Sequence, residues 1–199
     1  MSGTMLTLVS VIVVAGAVVL AALALRQRRT RNLKKTFGPE YDRAVRDAGS
    51  PGDAEAELEA RRRRREQLNI RALSPETADR YEAEWKEVQV RFVDAPQTSL
   101  READVLVVEL MRERGYPMEE FDQRASDISV DHPQVVQNYR AAHDVASRAG
   151  SETVNTDDLR IALQHYRALF MELLGTRDRG AARQATADSA VERQREVAR

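Results

Sequence analysis

The chain has 199 residues, no cysteine and a formal net charge of −1. That length holds one domain of ordinary size plus linkers, and the absence of cysteine excludes disulfides, thiolate metal sites and cysteine nucleophiles. The near-neutral total conceals an asymmetry: residues 1–74 carry 14 basic and 8 acidic side chains (net +6), residues 75–175 carry 11 and 20 (net −9), and residues 176–199 carry 6 and 4 (net +2). An acidic distal part repels phosphates, so nucleic acid is not expected as a partner.

Residues 5–25 form an unbroken apolar run without a charge, followed at once by Arg26, Arg28, Arg29, Arg31, Lys34 and Lys35. At about 1.5 Å per helical residue the run spans roughly 30 Å, the thickness of a bilayer's hydrocarbon core, and predicts a single-pass transmembrane helix. Basic flanks stay in the cytoplasm, which predicts a signal-anchor at the inner face of a membrane, N-terminus out and C-terminal domain cytoplasmic. Residues 26–36 form a basic juxtamembrane segment, and the six cations named above are the candidate lipid-facing patch for anionic headgroups. The rival reading is an exported protein cleaved near Ala22-Leu23-Ala24; a signal peptide has a basic n-region and a shorter apolar core, and this chain has neither. A stripe of Ser10, Val13, Ala17, Ala21 and Ala24 recurs at helical spacing and allows a homodimer through the helix, although Ala and Val are common in such helices and no G-x-x-x-G occurs.

Residues 37–73 are expected to form a charged helical stalk. Gly38-Pro39 breaks the chain, Tyr41, Ala44 and Val45 then share a helical face, and Gly49-Ser50-Pro51-Gly52 is a turn. Asp53 is the expected cap of the next helix, in which Glu55, Glu57 and Glu59 precede Arg61 to Arg65, complementing the helix dipole, with Glu57/Arg61 and Glu59/Arg63 at i,i+4. The five arginines suit a solvated helix face, with lipid headgroups and, after them, nucleic acid as the competing partners.

Residues 74–175 are expected to form a compact bundle of about five helices, so the chain as a whole is assigned to the all-α class. Ser74 caps the first bundle helix with Pro75 behind it, and Ala78, Tyr81, Trp85, Val88 and Phe92 make one apolar stripe. After Asp94-Ala95-Pro96 a second helix carries Leu100, Ala103, Val107, Leu110 and Met111 to a stop at Gly115. A third is expected from Pro117, and a fourth from Asp131-His132-Pro133 to Gly150, with Asp131 as its cap and His132 at its N-terminus. A fifth is expected to be capped by Thr156 with Asp157 and Asp158, ending at Gly175. Residues 176–199 are polar without an apolar face and are expected to be a disordered tail.

Several strings are distinctive: Phe37-Gly38-Pro39-Glu40-Tyr41-Asp42, Leu73-Ser74-Pro75-Glu76, Arg91-Phe92-Val93-Asp94, Arg114-Gly115-Tyr116-Pro117, Val130-Asp131-His132-Pro133, Tyr139-Arg140-Ala141-Ala142-His143 and His165-Tyr166-Arg167-Ala168-Leu169-Phe170. Together they resemble an uncharacterised family of bacterial proteins with one N-terminal membrane segment and a helical domain. The resemblance covers most of residues 5–175 and implies the same architecture; it lends no activity and no catalytic residue.

No phosphate loop, dinucleotide fingerprint or nucleophile elbow occurs, so no catalytic residue, no cofactor and no enzyme activity is expected. His132, His143 and His165 are the only histidines. His143 and His165 meet if their helices pack antiparallel, with Asp144 or Glu172 as a third group, but paired metal-ligand spacing is absent and no metal is expected. The reading is a protein-interaction or scaffold module at the inner membrane face, its protein partner unnamed. The alternatives are a small-molecule-sensing bundle and an exported protein.

Overall fold

In the computed structural model the described residues are 2–149 and 154–175, with side chains described from Val14 onward. Among them are eight α-helices and no strand: α1 Ser2–Phe37, α2 Pro39–Ala48, α3 Pro51–Glu66, α4 Pro75–Arg91, α5 Pro96–Arg114, α6 Phe121–Asp131, α7 Val136–Arg148 and α8 Thr156–Leu173. The chain divides into two compact units, residues 1–60 and 61–199. The tail at 176–199 and the stop at Gly150 lie outside the described residues.

In the first unit α1 stops at Phe37 because Gly38 turns the backbone with φ 49°, and Pro39 starts α2 with a φ already suited to a helix. Leu33, Phe37, Tyr41, Ala44, Ala54 and Leu58 are buried. The stretch 51–60 therefore buries more than its composition promises. Its cap is Ser50 rather than Asp53: the Ser50 hydroxyl accepts from the Asp53 N–H at 3.2 Å, and Asp53 lies inside the first turn. Among the described residues no helix is long and apolar enough to cross a membrane. The expected span over 5–25 is thus unsupported by the fold, and the side chains of its residues 5–13 lie outside those described.

The second unit is an all-helical bundle in which α5 packs against α4, α7 and α8, while α7 also packs against α6 and α8. Ser74 caps α4, its hydroxyl accepting from the Thr77 N–H at 3.1 Å, and the whole stripe Ala78, Tyr81, Trp85, Val88 and Phe92 is buried. Trp85 stacks on Phe170 of α8 with ring centroids 4.6 Å apart. α5 ends at Gly115 in a left-handed C-cap: the Tyr116 N–H reaches the Met111 carbonyl at 3.0 Å and the Gly115 N–H reaches Arg112 at 2.9 Å.

Three expected helix starts are displaced. α6 begins at Phe121 rather than at Pro117, because Glu120 is extended (ψ 155°) and the Glu119 carboxylate is held by Arg64 at 2.7 Å. α7 begins at Val136. Asp131 does not cap it but is the last residue of α6, where its carboxylate is held by Arg65 and by the Tyr116 hydroxyl. His132 accordingly closes α6, its N–H bonding the Ile128 carbonyl at 2.8 Å. The α8 cap is Asn155, whose side-chain oxygen accepts from the Asp158 N–H at 2.8 Å; Thr156 is the first helical residue.

Candidate functional site

All six predicted cations are exposed. Leu33 and Phe37, four residues apart, fall on one buried face of α1, and at 3.6 residues per turn Arg28, Arg31 and Lys35 fall on the opposite side. Arg26, seven residues before Leu33, lies in line with the buried face, and Arg29 and Lys34 lie at its edges. The cations thus form a collar round the helix rather than a stripe. Two of them also act within the unit: Arg29 lies 3.8 Å from Glu59, and the Lys34 ammonium stands 5.0 Å from the centre of the Tyr41 ring. Behind the collar the buried Glu55 carboxylate accepts from the Thr30 hydroxyl at 2.6 Å and from the Tyr41 hydroxyl at 3.0 Å. Burial and that carboxylate both push the Tyr41 pKa up.

A second polar cluster ties four helices of the bundle. Asp104 of α5 accepts from the Tyr166 hydroxyl of α8 at 2.8 Å and lies 3.8 Å from Nδ1 of His143 on α7. Phe121 at the start of α6 stacks on the His143 ring at 3.7 Å and lies 5.0 Å from Tyr139. Burial pushes the Asp104 carboxyl up, but its neighbours His143, Tyr166 and Arg124 outweigh burial and hold it below the ordinary carboxylate range. Such a cluster fixes helix register and keeps one carboxylate ionised.

The arginine run and the carboxylates of α6 were legible only as surface charges. Arg64 donates from Nε to Asp127 at 2.9 Å, and Gln123 donates to the same oxygen at 2.9 Å; the Asp127 side chain is 1% exposed. Arg65 binds Asp131. Two of the five arginines therefore clamp α6, while pairs such as Arg80–Glu84 and Arg148–Asp144 hold the expected i,i+4 surface geometry.

Among the described residues no group of three or more His, Cys, Asp or Glu side chains could hold a metal ion. The acids considered beside His143 and His165 turn elsewhere: Asp144 pairs with Arg148 at 3.0 Å, and Glu172 stands 3.9 Å from Nδ1 of His132. His132 is partly buried, with 11% of its side chain exposed. Burial lowers its pKa; Asp131 and Glu172 pull it up, Arg114 and Arg65 push it down, and the net shift is downward.

No family model, no curated protein and no solved structure matches the chain.

Proposed function

We propose that the chain is a single-pass, membrane-tethered helical module that binds another protein at the inner face of a bacterial membrane and carries no catalytic site. The observation behind this reading is the state of α1 beyond its collar. Val14, Val18, Val19, Leu20, Leu23 and Leu25 are all exposed, and they are distributed around the helix rather than along one stripe. A helix apolar on every face is stable only where apolar surroundings cover it, and residues 5–13 extend the same composition toward the N-terminus. The collar then lies at headgroup level, where each cation near an anionic surface contributes about 1 kcal/mol. Tethering raises local concentration, and the net −9 of residues 75–175 suits a basic protein surface.

The test is a full chain carrying a C-terminal reporter that fluoresces only in the cytoplasm, followed by cell fractionation. Fluorescence in the membrane fraction is the expected result. A dark reporter with a shortened chain outside the membrane would mean export, and the tethered reading would fall.

A further inference from the structure

The outer face of α4 and α5 holds a groove of about 390 Å³, lined at its apolar part by Val88, Val105 and Leu106. Val105 is 55% exposed although it lies midway along α5, which packs against α4, α7 and α8. On α5, Arg101, Val105 and Glu109 follow one another at steps of four residues and share a face, giving a row that reads base, apolar, acid. Arg101 and Glu109 are exposed, and neither has an ion-pair partner among the described residues. The neighbouring charges differ in this respect: Arg91 is paired with Glu87 and Glu102, and Glu84 with Arg80.

A base–apolar–acid row is complementary to itself when reversed. A uniformly basic or uniformly acidic partner would meet like charge at one end of it. The same row running the other way satisfies both ends at once, which is the relation an isologous two-fold contact creates. We propose that this face is a homodimer interface. A second copy packs its α5 antiparallel to the first about a two-fold axis near Val105, so that each Arg101 meets the second copy's Glu109 and the two valines share the groove. Helices in contact lie about 8–10 Å apart, which brings residues at such an axis within disulfide reach.

The chain's lack of cysteine makes the test direct. Val105→Cys and, as a control off the groove, Val93→Cys (82% exposed) are prepared in the full chain in detergent and oxidised with a copper catalyst. The expected result is a covalent dimer that forms several-fold faster through position 105 than through position 93. On the Val105→Cys background, Arg101→Glu and Glu109→Arg each slow the reaction several-fold, because each places like charges face to face. An equimolar mixture of the two restores the rate, because one copy is then acidic at both ends and the other basic at both. Equal rates at positions 105 and 93, or a mixture no faster than its components, would overturn the proposal. Association through α1 alone gives that second pattern.

Discussion

Gly115 lies so close to Asn69 that a β-carbon built on it would stand 2.5 Å from the Asn69 carbonyl oxygen. The contact joins the end of α5 to the segment after α3, and the Arg71 N–H bonds the Arg114 carbonyl beside it at 2.9 Å. Gly115 also has φ 94°, a conformation other residues adopt only with strain. Gly115→Ala is therefore expected to destabilise the bundle by about 1–3 kcal/mol, with the clash adding to the strain. Chemical denaturation of the full chain measures it; a midpoint equal to wild type would mean that the 69–71 segment yields freely.

Trp85 is 1% exposed and has Phe170 stacked on it, so truncation removes both area and a ring contact. Trp85→Ala is expected to cost about 3–5 kcal/mol. Val93→Ala, at an exposed site, is expected to stay within about 0.5 kcal/mol of wild type. Equal effects in a thermal melt would contradict the assigned core.

The Asp127 carboxylate is buried while its partner Arg64 keeps 37% of its side chain exposed. Arg64→Ala leaves a buried charge with Gln123 alone, and a loss of about 1–3 kcal/mol is expected, less than for a fully buried pair because solvent reaches the arginine's side. Replacing both partners, Arg64→Met with Asp127→Leu, is expected to recover most of that loss, since no uncompensated charge remains. A double variant as unstable as the single one would show that the pair contributes more than its desolvation.

His132 sets a pH dependence whose sign follows from its lowered pKa. The unfolded chain, with histidine near its ordinary value of about 6.5, binds the proton more readily than the folded one. Stability is therefore expected to fall as pH drops through about 6.5 toward the depressed folded value, and to be fully present above it. His132→Leu should flatten this slope. Denaturant midpoints at pH 7, 6 and 5 compare the two chains, and parallel slopes would remove His132 as the cause.

The sequence by itself determined the helices, their apolar faces and their clearest ends. A stripe such as Ala78, Tyr81, Trp85, Val88 and Phe92 repeats with the helical period, and Ser74-Pro75 and Gly115 are local stops and starts whose chemistry acts within one turn. The displaced starts at α6 and α7 failed for a tertiary reason: Glu119 and Asp131 are claimed by arginines more than fifty residues earlier, which outweighs the local signals of Pro117 and Pro133.

Only the tertiary structure decided which charges are buried. Asp104 and Tyr166 are 62 positions apart and Arg64 and Asp127 are 63 apart, yet each pair bonds across packed helices. A carboxylate's residue type is the same on a solvated face as in a cluster. What distinguishes them is the partner that packing brings to it, because a buried charge persists only where hydrogen bonds or an opposite charge replace water.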